Sequence, residues 1–210
     1  MINTSNNSTE NFFKNASKQV KISEDREKLL LTIAKEITAV LKKNKVVNLN
    51  FICTHNSRRS QLGQVWSFFA AHYFQLNINA FSGGTEVTAF FRNTVKTLQN
   101  VGFDFSVVDF SHQNPTYKIS FKNSEKSILG FSKRFDYEIN PEPFIAITTC
   151  NNADKNCPFI PTASHRFHLP FVDPKVSDNT DLQDETYLNT SKQIAAEIYF
   201  IFYNVKNKFS

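Results

Sequence analysis

A chain of 210 residues fits one domain with a sizeable core, or one domain with an appendage. The formal net charge of +5 is spread along the chain with no lysine/arginine stripe, which argues against nucleic acid as a partner. No apolar run reaches the roughly 18–20 residues a membrane span needs, and the Asn/Ser/Thr-rich start lacks a signal-peptide core, so a cytoplasmic protein without membrane contact is expected.

Residues 1–22 are polar and without apolar period, and read as a disordered tail. Ser23 can cap a helical extension over 23–45, with Glu24 and Asp25 in its first turn and Leu30, Ile33, Ile37 and Leu41 at helical spacing. The main domain is expected over 46–210. It opens with an apolar strand, Val46 to Ile52, that runs into Cys53. A helical stripe follows through Leu62, Val65, Trp66, Phe69 and Tyr73. A short strand from Ile78 to Phe81 leads to Gly83 and Gly84, and a second helix spans Phe91 to Val101, stopped by Gly102. Tyr117–Phe121 and Ile128–Phe131 form a hairpin about a turn at Asn123 and Ser124, inside an insertion over about 112–143. Phe144–Thr149 is a core strand, Phe167–Phe171 another, and Leu188, Ile194, Ile198, Ile201 and Val205 mark a long C-terminal helix. Strand–helix alternation implies an α/β fold, a parallel sheet with helices on both faces, whose ligands sit at the carboxyl ends of the strands.

Cys53 opens Cys-Thr-His-Asn-Ser-Arg-Arg-Ser, ending at Ser60, at a strand-to-helix junction. A Cys-x5-Arg loop there can grip a tetrahedral oxyanion. The backbone N–H groups from Thr54, His55, Asn56, Ser57 and Arg58 onward converge, the helix start adds positive potential, and Arg59 supplies a bidentate fork. That field suits a thiolate nucleophile at Cys53, although a cysteine after a strand can also be apolar filler. Ser60 can donate to the sulfur or cap the helix, and Asn56 can hold the loop's shape. Cys150 and Cys157 sit in a second loop at the end of an apolar run. They fit a thiol relay, two incidental thiols, or a zinc site with His165 and His168, although the spacings differ from those of structural zinc sites. The odd cysteine count favours reactive thiols over structural disulfides.

The Cys53 loop, the Cys150/Cys157 loop, Asp173-Pro174 and the Ser82-Gly83-Gly84-Thr85-Glu86 turn together resemble the thioredoxin-coupled arsenate reductases, which share the low-molecular-weight protein tyrosine phosphatase fold. The resemblance runs from about Val46 to Pro174. It implies a central four-stranded parallel sheet, no cofactor and no metal, Cys53 as nucleophile, and Asp173 as the general acid. It also implies that Cys150 and Cys157 pass oxidising equivalents to thioredoxin. The substrate expected is arsenate; the alternatives are a phosphate ester, hydrolysed through a cysteinyl-phosphate, and an oxyanion-binding or redox-sensing module. Two positions depart from the family. His55 stands where glycine is usual and could narrow the loop, and Arg58 stands where many reductases carry a further cysteine, adding charge beside the pocket or facing solvent. Lys175 and Val176 also replace the tyrosine pair that often follows Asp-Pro in signalling phosphatases.

Overall fold

The computed structural model describes residues 9–156 and 159–209. Four parallel strands form the central sheet: β1 (Val47–Cys53), β2 (Ile78–Gly84), β6 (Phe144–Thr148) and β7 (Ala163–His168), in the spatial order β2-β1-β6-β7. Because every pairing is parallel, all four carboxyl ends lie along one edge of the sheet, bringing together chain segments far apart in sequence.

Alternation along the strands sorts the core into two clusters. Val47, Leu49 and Phe51 of β1 join Ile145 and Ile147 of β6 on the face covered by α2 (Glu24–Asn44), α3 (Arg59–Tyr73) and α6 (Gln183–Phe209). Ile52, Phe144 and Ala146 face the other way, onto the short α5 (Asn151–Asn156) and Ile160. Helices therefore flank both faces, but unequally. Helix α3 is the pivot: every residue from Ser60 to Ala71 is buried, as expected of a helix wedged between a sheet and other helices. Ser23 caps α2 by accepting from the Arg26 amide, and Lys45 closes it in a left-handed conformation.

Residues 9–19 depart from the disordered tail expected over 1–22. Thr9–Gln19 is a helix, α1, and its Phe13 is fully buried. Phe12 and Phe13 both stack on Trp66, with ring centroids 5.4 and 5.7 Å away, and Phe13 meets Phe69 and Tyr199 as well. Two neighbouring aromatic side chains anchor an otherwise polar segment, which is why no apolar period announces it. Phe13→Ala is expected to cost about 3–5 kcal/mol, read as a lower midpoint in denaturant.

Helix α4 (Arg92–Asn100) leads into a second sheet. The hairpin is present as β4 (Thr116–Phe121) and β5 (Ile128–Gly130), with Asn123 at φ 67° in its turn. A strand not expected from the sequence, β3 (Phe103–Asp109), pairs antiparallel with β4, so the hairpin belongs to a three-stranded sheet. Its exposed Val107 and Val108 hide a half-buried alternation. The last strand also starts earlier than expected. β7 covers Ala-Ser-His-Arg-Phe-His, polar because it is an edge strand, and Leu169 and Phe171 then carry its line on beside the end of β6, their amides bonded to the Thr148 and Thr149 carbonyls.

Candidate active site

Cys53 ends β1 and Arg59 begins α3, so the intervening loop turns over the sheet edge. Asn56 holds that turn. It sits at φ 47°, a left-handed conformation that asparagine tolerates, and its side chain is fully buried. Its Nδ2 donates to Ser60 Oγ (2.9 Å), while its Oδ1 accepts from the Lys133 amide (2.9 Å) and from Gln61 Nε2 (3.2 Å). The turn after β2 braces the loop from outside. The Thr85 and Glu86 amides donate to the carbonyls of Cys53 and Thr54, and a Cβ on Gly84 would lie 2.7 Å from the Thr54 carbonyl oxygen. Only glycine admits that approach.

Among the described residues, none of the amide N–H groups from Thr54 to Ser60 donates to a protein acceptor. These are the donors an oxyanion would take. Beneath them lies Cys53, 4% exposed, its sulfur 3.0 Å from Ser60 Oγ. Since Asn56 already donates to the Ser60 oxygen, the Ser60 hydroxyl proton is free to point at Cys53, and the chain Asn56–Ser60–Cys53 suits an anionic sulfur.

Arg59 is directed by the stretch after β7. Its Nη1 donates to the Phe171 carbonyl (3.0 Å) and its Nη2 to Asp173 Oδ2 (2.5 Å). Asp173 is itself fixed by its other oxygen, which accepts from the Lys175 amide and caps the 3-10 turn Pro174–Ser177. Cys150 follows β6, is 3% exposed, and shares the small cluster under the loop with Cys53. Thr54 Oγ1 lies 3.6 Å from its sulfur, which also accepts from the Ala153 amide at 3.4 Å. Arg59, Cys150, Phe171 and Asp173 line one depression at the sheet's carboxyl edge, with Asn151 and Val172. Cys157 lies outside the described residues.

The two departures resolve differently from expectation. His55 is not among the residues with positive φ. Its side chain turns outward to Glu86 (3.2 Å), and its carbonyl accepts from Thr88 and Ser132, so replacing glycine here imposes no backbone strain. Arg58 neither charges the pocket nor faces solvent. Its Nε donates to the Tyr187 hydroxyl (2.8 Å), its Nη2 to Asp178 (3.2 Å), and its guanidinium lies 4.2 Å from the centroid of the Phe91 ring. Tyr187 passes the bond on to Asp178 (2.7 Å); its burial, reinforced by that bond, raises its pKa and keeps the hydroxyl protonated. Only the Arg58 backbone belongs to the cradle. The clamp, formed by Tyr187 of α6 and by Asp178 ahead of it, has no sequence signature.

His165 and His168 point to opposite faces of β7. His165 pairs with Glu36 (3.0 Å), and His168 meets Thr148 and Asn151. The two do not converge on one ion. His168 instead joins a network in which Asp154 of α5 is held by Thr148 and by Arg166.

This architecture is matched by solved structures. The solution structure of a low-molecular-weight protein tyrosine phosphatase from Bacillus subtilis superposes with a TM-score of 0.51 at 13% identity, covering 77% of this chain and 98% of that one. The enzyme of the same description from T. tengcongensis gives 0.50 at 14%, covering 72% and 95%. The α/β fold is thus that of the low-molecular-weight phosphatases. No protein-family model matches the chain. Sequence similarity is more particular. An arsenate reductase of Brevibacillus brevis is 31% identical over 124 residues, 59% of this chain and 74% of that protein. One from B. subtilis is 28% identical over 138 residues, 66% and 80% respectively. The chain belongs to the arsenate reductase family, and it is an enzyme.

Proposed function

We propose that this enzyme reduces arsenate, using Cys53 as nucleophile and Cys150 and Cys157 as a relay that delivers oxidising equivalents to thioredoxin. The observation that carries the reading is a second buried cysteine, Cys150, in the cluster under the Cys53 loop and on the wall of the depression that holds Arg59 and Asp173. Hydrolysis has no use for a thiol there; reduction requires one.

The cradle amides and Arg59 bind the anion, and the Cys53 thiolate attacks arsenic. Binding draws Arg59 toward the anion and away from Asp173, which can then take up a proton and hand it to the departing hydroxyl, released as water. The Cys150 thiolate attacks the Cys53 sulfur. A Cys53–Cys150 disulfide forms, the sulfur–arsenic bond breaks, and its electron pair stays on arsenic, which leaves as arsenite. Two thiols have lost two electrons and arsenic has gained them. Cys157 then displaces Cys53 from the disulfide, and thioredoxin reduces the Cys150–Cys157 bond. Such a cycle belongs in a reducing compartment, the cytoplasm, and no described helix is long and apolar enough to cross a membrane.

Cys53, Arg59 and Asp173 would also suffice for phosphoester hydrolysis, a second reading that the fold similarity favours. Arsenite release with thioredoxin and its reductase, run beside hydrolysis of an aryl phosphate, separates the two; turnover of the ester alone refutes reduction. Asp173→Asn is expected to slow aryl phosphates with basic leaving groups by about 10²–10⁴-fold, and those with good leaving groups far less. Equal slowing across a leaving-group series would remove the acid role.

A further inference from the structure

A second cavity, of about 460 Å3, lies away from the cysteines, and Cys53, Arg59, Cys150 and Asp173 take no part in its wall. It opens between two sheet edges. One is β2, the outer strand of the parallel sheet; the other is β5, the outer strand of the antiparallel one. Phe68, Leu76 and Ile78 give it a buried apolar floor, and Leu129 and Ile139, 39% and 41% exposed, stand at its rim. Its size and lining are those of a small-molecule site rather than of a packing defect.

The charged side chains on the wall are Lys126 and Lys133, with no acidic one among the described residues that line it. Lys126 is exposed, as lysines usually are. Lys133 is 3% exposed, and its Nζ has no hydrogen-bond partner. It lies over the ring of Phe131, another wall residue, 4.8 Å from the centroid. A buried ammonium with only a π face beside it is poorly compensated, because burial removes water without supplying an acceptor. Accordingly, burial pulls the amine down to about 8. A carboxylate beside the ring would be a much stronger partner, and the apolar floor would accommodate a hydrocarbon chain.

We propose that this cavity binds a small aliphatic carboxylate, its chain along the floor between β2 and β5 and its head group on the Lys133 amine. Apolar wall, unpaired buried cation and absence of acidic lining all select that class over a neutral lipid or a cation. The site also touches the catalytic loop through the backbone, since the Lys133 amide donates to Asn56 Oδ1 and its carbonyl accepts from the Gly84 amide.

Calorimetric titration of the whole protein with decanoate, decanol and acetate tests this directly, below the micellar concentration of decanoate. Decanoate is expected to bind at least about tenfold more tightly than decanol, the difference an ion-paired hydrogen bond supplies, and acetate not measurably. Lys133→Met should bring decanoate and decanol to parity, whereas Lys126→Met should keep the preference. Leu129→Glu, a rim change that leaves the core intact, should weaken decanoate more than decanol and serves if Lys133→Met does not fold. Equal binding of decanoate and decanol by the wild type, no binding of decanoate, or a preference that survives Lys133→Met or is unmoved by Leu129→Glu would overturn the assignment.

Discussion

Cys53→Ser is expected to abolish arsenate reduction and aryl phosphate hydrolysis together, with a fall in kcat of at least about 10⁴. Ser60 and Asn56 form a donor chain that suits an anionic sulfur 3.0 Å away. A serine oxygen at position 53 could share a hydrogen bond with Ser60, but its hydroxyl is not ionised near neutral pH, and no described side chain in contact with it is placed to take its proton. The cradle amides would remain, so the variant should still bind an oxyanion. Steady-state rates beside a phosphate titration check both halves; near-normal turnover would remove Cys53 from the chemistry.

Arg59→Lys should lose about 10²–10³ in kcat although the charge is kept. In the resting geometry two guanidinium nitrogens serve two separate acceptors, the Phe171 carbonyl and Asp173. An ammonium can offer neither that span nor a planar two-point contact to an oxyanion. It would also leave the Oδ2 of Asp173 without its guanidinium partner, so the acid and the anion grip should fail together. If lysine at this position supports near-normal rates, the cradle is wrong in its central geometry.

How much of this was legible in the sequence depended on distance along the chain. The Cys53 loop could be read because its parts are neighbours: an apolar strand, a cysteine, an arginine six positions on and an apolar helix. Asn56 was recognisable as a shaping residue for the same reason. The Arg58 clamp was not, since Tyr187 and Asp178 stand 129 and 120 residues away, and nothing local distinguishes Arg58 from a surface arginine. The contact of Thr54 with Cys150 spans 96 residues and follows only once β1 and β6 are known to be neighbours. In the fold, apolar runs disclose β1 and β6, while the start of β7 is hidden because an edge strand need not be apolar. Helix α1 shows the opposite failure: two phenylalanines decide its packing, and composition averaged over the first 22 residues hides them. The buried amine of Lys133 follows the same rule, since a lysine is read as exposed until a sheet edge closes over it.

A second thiol that resolves the Cys53 adduct, as proposed, must leave a disulfide behind after a single turnover. Cys157→Ser protein, reduced and freed of small thiols, is exposed to arsenate for a single turnover, alkylated and digested without reduction. Mass spectrometry of the peptides should then find Cys53 joined to Cys150, with about one arsenite released per protein and no further turnover when thioredoxin is added. Recovery of both cysteines as alkylated thiols, from a protein whose wild type hydrolyses aryl phosphates but leaves arsenate unchanged, would contradict the relay.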